Sequence, residues 1–504
     1  MIHSRDYYRT GASLVLLFLL GFPLQATEDL TPEEAVVLQE SIVLQDSSPR
    51  GNSRFDGGTP LSTALAEPSR HADEAEVQDE TEVSPIDFLA VLSLAGGNDL
   101  EIQFLRNRLR EAYADEKLAY VRYFPNVSVF SEFLKHEGRI QGTVGDLPRA
   151  SKQSLFTGIG LDWVYDFSHE LYEKLAVRQT REAHDADFEA VREQRLYRAG
   201  TRFFDLVGAR ANEQVALESV RRGKALVGFE ESLVKRGKAL EADLARARAF
   251  RAERAQDLAD ARATTQVSSL ALATQLRLNP FVRLEPVEGA AVPIRLVEQE
   301  GSREELVRTA LGERPELLRE RYLQSAAQTR REAAAKKRFL PRLSGSAAFG
   351  GFGGDAGSGL NEFDDRQDYR LTLDWATDHL GKGDRAILER NEALLGQARV
   401  RQEQIEDQVT EEVLVALANV RANEEKMDLS REQVEAAAAS VSLTESRLRE
   451  GLAIPYEVIQ AQEALVRAQT NQVQSIVEFN KSQLGLLRSL GGIEGLLVGD
   501  PRNR

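Results

Sequence analysis

The sequence predicts a mainly α-helical protein with a small β part, built as two copies of one long unit. Three observations predict it. First, Tyr123-Phe124-Pro125-Asn126-Val127 returns as Phe339-Leu340-Pro341-Arg342-Leu343, Leu161-Asp162-Trp163 returns as Leu373-Asp374-Trp375, and residues 232–237 are echoed by 446–451. The spacing of about 214 residues far exceeds the roughly 20–50 of a stacked solenoid repeat, so a whole structural half is duplicated. Second, residues 171–236 and 384–450 contain no proline and are rich in Ala, Glu, Arg, Leu and Gln, which cost least in a helix. Third, short runs beside each proline motif alternate apolar and polar residues, the period of a half-exposed strand.

The bulk numbers narrow the function. The 504-residue chain has 64 Lys+Arg against 80 Asp+Glu, a net charge of −16 that speaks against a nucleic-acid partner. It has no cysteine, which excludes disulfides, thiolate metal sites and the lipidated cysteine of a bacterial lipoprotein. Residues 1–26 read as a signal peptide: Arg5 and Arg9 precede an apolar run over 12–24, and Ala26 closes it. That run is shorter than the roughly 20 residues of a spanning helix, and no later run of 18 apolar residues follows. Residues 27–88 read as an acidic disordered extension, with Asp73, Glu74, Glu76, Asp79, Glu80 and Glu82 close together and too few apolar residues to offset ordering. One short amphipathic helix over 31–44 is compatible with Ala35, Leu38 and Ile42 on one face. The first repeat is then 89–300, the second 301–495, and 496–504 is a C-terminal tail.

Each repeat reads helix, strand, loop, strand, long helix, turn, long helix. The first helices cover about 100–120 and 315–338 and stop ahead of Pro125 and Pro341, because a residue before proline is pushed out of the helical region. Strands follow: Val127 and Val129, then Thr157, Ile159, Leu161 and Trp163 in one half; Leu343, Gly345, Ala347 and Phe349, then Tyr369, Leu371 and Leu373 in the other. A soluble sheet with one buried face gives the same alternation as a membrane strand. Trp163 and Trp375, the two tryptophans, close the second strand of each pair, a placement that suits an interfacial aromatic belt or a packed core. The stretches 135–153 and 350–368 read as polar loops; Gly350-Gly351-Phe352-Gly353-Gly354 lacks the Gly-Lys-Ser/Thr of a phosphate-cradling loop and reads as flexible surface.

The proline-free stretches each span roughly 100 Å as helix. Val413, Ala416, Val420, Asn423, Met427, Ser430, Val434, Ala437, Val441, Thr444 and Leu448 step by three and four, a heptad seam, and Val458, Ala461, Leu465 and Ala468 continue it on the return. Gly237 and Gly451 fall where each hairpin must reverse, a place for a residue that takes positive φ.

This order of elements resembles the TolC-type outer-membrane efflux channels, over about residues 89–492. The most specific match is Arg447-Leu448-Arg449-Glu450-Gly451 followed by Tyr456-Glu457-Val458-Ile459-Gln460-Ala461-Gln462; Gly237 with Glu241-Ala242-Asp243-Leu244-Ala245 is a looser version. The resemblance implies a homotrimer in the outer membrane, with four strands per subunit in a shared 12-stranded barrel and the helices in a 12-helix periplasmic tunnel. It implies a periplasmic adaptor as partner and, through it, an inner-membrane pump. The tunnel entrance would lie at the tips, around Gly237, Asp243, Gly451, Glu457 and Gln460. Three copies of Glu457 facing a narrow pore would favour cations, whereas a solvated helix face is the plain alternative; Gln460 stands where some members carry a second acid. The turn Asp166-Phe167-Ser168-His169 departs from the pattern, lacking the glycines of Leu380-Gly381-Lys382-Gly383.

Enzyme chemistry and cofactors find no motif. His3, His71, His136, His169, His184 and His379 are scattered, and His169 and His379 read as turn residues rather than metal ligands. The rival reading is a soluble periplasmic coiled-coil scaffold or adaptor-like protein, which shares the export signal and the helical hairpins.

Overall fold

The computed structural model describes residues 83–287, 291–297, 302–355 and 363–498. The expected signal peptide, the helix over 31–44, most of the acidic extension and the end of the tail lie outside the described residues. In chain order the elements are β1 (Val83–Ile86), α1 (Phe88–Asn98), α2 (Leu100–Val121), β2 (Asn126–Arg139), β3 (Arg149–Asp166), α3 (Glu170–Lys235), α4 (Glu241–Gln275) and β4 (Arg283–Pro286). Then come α5 (Arg303–Glu313), α6 (Pro315–Lys336), β5 (Arg342–Asp355), β6 (Asp364–Asp374), α7 (Lys382–Arg449), α8 (Pro455–Ser489) and α9 (Gly495–Val498).

The duplication is plain in the lengths. The outgoing helices α3 and α7 have 66 and 68 residues, and the return helices α4 and α8 have 35 each. At 1.5 Å per residue the outgoing helices are about 100 Å long. Along α7 the heptad positions are buried or half-buried throughout, with Val413 and Val420 fully enclosed, and Val458, Leu465 and Ala468 face them from α8. Propensity starts such helices, but mutual burial of the seams holds them.

The main core surrounds the middle of the hairpins. Phe203, Phe204 and Leu206 of α3 pack there with Leu272 of α4, Leu484 of α8 and Phe88 and Leu92 of α1. Phe88 stacks on Phe204 with ring centroids 5.1 Å apart. The short strands β1 and β4 pair in parallel beside this core, Val83 opposite Arg283 through Ile86 opposite Pro286. Residues 83–88, assigned from composition to the acidic disordered extension, therefore belong to the fold. Ile86 and Phe88 bring enough apolar area to offset their ordering, and β4 supplies the backbone partner. The segment between the repeats is held by buried amides on α8: Asn480 Oδ1 accepts from Ile294 N at 2.8 Å, and Gln483 Oε1 accepts from Leu296 N and Val297 N.

A buried ion cluster joins the repeats nearby. Arg314, 3% exposed, donates to both Glu316 oxygens at 2.9 and 3.0 Å and to Glu412 of α7 at 2.9 Å. Glu193 of α3 faces the same cluster. Burial first, and then the Glu316 carboxylate, push the Glu193 carboxyl from 4.5 up to about 7, against the pull of Arg314. Folding thus favours the protonated acid: its contribution is full below about pH 4.5 and is lost as pH rises through 7. Glu193→Gln is expected to leave stability unchanged at pH 4 and to raise it by about 3 kcal/mol at pH 8. Denaturant unfolding at the two pH values checks this; an equal effect at both would exclude Glu193 as the titrating group.

At one end of the helices lies a four-stranded antiparallel sheet in the order β2-β3-β5-β6. The β3–β5 ladder ties the first repeat to the second, from Gln153 opposite Asp355 to Asp166 opposite Arg342. Pairing also carries β2 and β3 out to Arg139 opposite Arg149, and β5 and β6 to Phe352 opposite Asp364. The two expected polar loops are therefore mostly strand. Alternation fades there because both faces become polar, while the backbone ladder continues regardless of side-chain type.

The glycine run 350–354 is strand as well, not flexible surface. A Cβ on Gly158 would lie 2.1 Å from Phe349 O, and one on Gly350 would lie 2.0 Å from Thr157 O. Only glycine permits the two backbones to run so close.

Candidate functional site

The predicted site residues fall at two ends of the molecule. At the helical tips, Gly237 and Gly451 have φ of +66° and +74°, the left-handed conformation that ends α3 and α7 without strain. Each accepts the reversal in the same way: Lys238 N donates to Leu233 O and Leu452 N donates to Arg447 O. Asp243 and Glu457 then occupy the same place, the third residue of the return helix, and their amides donate to Leu240 O and Ile454 O, each at 3.0 Å. A carboxylate in a first helical turn is favoured by the helix dipole.

The two acids differ in company. Asp243 pairs with Arg246 at 3.0 Å. Glu457 is half-exposed and forms no ion pair among the described residues. Gln460 is exposed and donates to the Tyr456 hydroxyl at 2.8 Å, which ties it to its own helix. One apolar cluster joins the tips: Leu226 and Val227 of α3, Leu244, Ala247 and Phe250 of α4, Leu448 of α7, and Val458 and Ile459 of α8. The fold thus brings Gly237, Asp243, Gly451, Glu457 and Gln460 to one end.

Sequence reasoning missed Glu230. Its carboxylate is fully buried beneath the first tip, and neither oxygen has a hydrogen-bond partner among the described residues. Burial, and then the nearby Asp243, raise its pKa. The signal available was an acid on the same helical stripe as Leu226, Val227 and Val234, where an apolar residue was due.

At the other end, Trp163 and Trp375 stand where the sheet meets the helices. Trp163 is half-buried; its indole N–H donates to Tyr123 O at 3.1 Å, and its ring stacks on Tyr165. Trp375 lies one residue past β6 and is 60% exposed. The turn after β3 manages without glycine because Asp166 Oδ1 accepts from Ser168 N at 2.9 Å and from the Ser168 hydroxyl at 2.6 Å. After β6, His379, Leu380 and Gly381 are all left-handed, with Lys337 bridging Asp378 and Asp384. His169 and His379 are thus turn residues, and no group of three or more metal-capable side chains occurs among the described residues.

The sheet has two unlike faces. Val127, Val129 and Phe133 of β2, Leu155, Ile159 and Leu161 of β3, Ala347 and Phe349 of β5, and Tyr369, Leu371 and Leu373 of β6 share one of them. Val129 is 83% and Leu371 76% exposed, because no helix among the described residues covers this face. The opposite face carries Ser128, Glu132, Asp162, Ser346, Asp368 and Arg370, with Phe130, Phe156 and Phe352 set among them. Among the described residues, the outer backbone edges of β2 and β6 have no strand partner. No described helix is long and apolar enough to cross a membrane.

Residues 306–492 match the outer membrane efflux protein family. No curated protein matches the chain. Among solved structures it is similar to the outer-membrane channel OprN, at 23% identity and a TM-score of 0.67, covering 80% of this chain and 90% of that one. It is also similar to the outer membrane protein VceC of Vibrio cholerae (17% identity, TM-score 0.66, 80% and 96% covered). The Campylobacter jejuni CmeC outer membrane channel gives 16% identity, a TM-score of 0.65, and 86% and 94% covered. The fold is shared with these outer-membrane channels. The fold is that of the TolC-type channels, and the second repeat carries the outer membrane efflux protein domain.

Proposed function

We propose that the protein is the exit duct of a tripartite efflux or type I secretion system. It works as a homotrimer in the outer membrane of a double-membraned bacterium, with its tips in the periplasm. One observation carries this reading: a sheet whose apolar face is uncovered and whose two edges are unpaired among the described residues. In lipid every backbone polar group must be paired, so spanning sheets are closed barrels with the apolar face outward. Four strands do not close; three copies give twelve, β2 of one beside β6 of the next. A soluble periplasmic scaffold would leave Val129 and Leu371 in water, which disfavours it.

Transport is passive. A periplasmic adaptor engages the tips, an inner-membrane pump supplies the energy, and neither cofactor, catalysis nor nucleic acid enters. The acids at the third position of the return helices would line the entrance, with Glu457, which forms no ion pair among the described residues, the cation-attracting group. Glu457→Ala is expected to raise conductance in planar bilayers and weaken block by multivalent cations by about tenfold. Unchanged block would remove Glu457 from the entrance.

Electron microscopy of detergent-extracted protein tests the duct itself. A threefold tube of about 100 Å or more, ringed by detergent at one end, is expected. Detergent-independent monomers or dimers would overturn the reading.

A further inference from the structure

The polar face of the sheet carries a band of rings that a water-filled barrel does not need. Most of its positions on the central strands are small: Gly158, Gly160 and Ser154 on β3, Ser346, Ala348, Gly350 and Gly354 on β5, with Ser128 on β2. Two adjacent rungs break the pattern. One runs Glu132, Phe156, Phe352, Asp364; the next runs Phe130, Gly158, Gly350, Arg366.

The three rings interlock edge to face, Phe130 to Phe156 at 4.9 Å and Phe156 to Phe352 at 6.1 Å between centroids. The Arg366 guanidinium lies over Phe352 at 4.6 Å and over Phe156 at 5.0 Å. Asp368 holds it there through Nε at 2.9 Å, yet its side chain remains 43% exposed. A cavity of about 980 Å³ adjoins the band; Phe352 and Leu134 stand in its wall, with Lys135, Lys152 and Arg366 balanced by Asp355, Asp364 and Asp365.

We propose that this band is a cargo subsite inside the duct, selective for aromatic rings whose acidic group can reach Arg366. The proposal rests on the duct reading, which turns the polar face inward. Three copies then form a collar in an otherwise small-residue wall. A flat ring slides onto the half-exposed edges of Phe130 and Phe352, and its acidic group meets Arg366 where that cation lies over the rings. Aliphatic anions gain the charge contact alone. Such a collar holds cargo weakly and repeatedly, as conduction requires.

Current block in planar bilayers tests it, with 1-naphthalenesulfonate and cyclohexanesulfonate as probes of equal charge. Wild-type channels should be blocked by the aromatic probe at about tenfold lower concentration, the scale of one or two ring contacts. The double variant Phe156→Leu with Phe352→Leu, which keeps the site apolar, should erase that preference while the channel still conducts. Arg366→Lys should retain block by both probes and Arg366→Gln should weaken both. Equal block of the wild type by the two probes, or a preference that survives in the double variant, would overturn the subsite and leave the duct standing. No current from the wild-type protein would overturn both.

Discussion

Replacing Arg314 by alanine is expected to lower unfolding free energy by about 2–4 kcal/mol, because it leaves the half-buried Glu316 and Glu412 carboxylates without their buried cation. Arg314 sits at the junction of α5 and α6, where both helices are short and neither has a long seam of its own. Its guanidinium bridges Glu316 to Glu412 on α7 and reaches Ser489 O at the end of α8. The loss therefore falls on the join between the repeats rather than on either hairpin. Removing the cation also removes the larger of the two charges, Arg314 and Arg488, that oppose the rise of the Glu193 carboxyl, so the deficit should grow with pH. Denaturant midpoints of Arg314→Ala at pH 5 and 8, alone and combined with Glu193→Gln, check both parts. A loss below about 1 kcal/mol would place the cluster with ordinary surface pairs.

Gly158→Val is expected to abolish the assembled sheet, with a cost above about 4 kcal/mol. The obstacle to a Cβ there is backbone, Phe349 O at 2.1 Å and the Gly350 Cα at 2.7 Å, so no side chain can step aside. The two repeats meet at this rung, and parting them opens the ladder from Asp166 to Gln153. Far-ultraviolet circular dichroism should keep its helical signal while the detergent-stable oligomer disappears. Gly351→Ala is the control: its nearest obstacle is the Phe363 ring at 3.6 Å, an ordinary contact, so assembly should survive. Equal loss in both variants would show that general sheet weakening, not the close approach, is at fault.

Much of this architecture is legible in the sequence because it rests on local periodicities. The seam from Val413 to Leu448 steps by heptads, and glycine stands at each reversal, so the hairpins and their tips follow from spacing. The paired acids Asp243 and Glu457 follow from the duplication. What escaped depends on partners distant in sequence. Val83–Ile86 is a strand only because Arg283–Pro286 lies beside it, and the glycine run of β5 is ordered only by β3. Arg314 and Glu193 look like any charged helix residues until burial makes them a cluster. Phe130, Phe156 and Phe352 sit on the polar register of their strands, where alternation, which tracks the apolar face, does not look.

The open edges of the sheet also bear on inheritance. Each subunit of the proposed trimer completes its ladder with two neighbours, so one damaged edge spoils a ring built mostly from sound copies. Where intact and defective chains are made together and mix freely, working ducts fall as the third power of the intact fraction. A lesion in β2 or β6 that permits mixing would then act dominantly, whereas one that destroys the fold before mixing would act recessively.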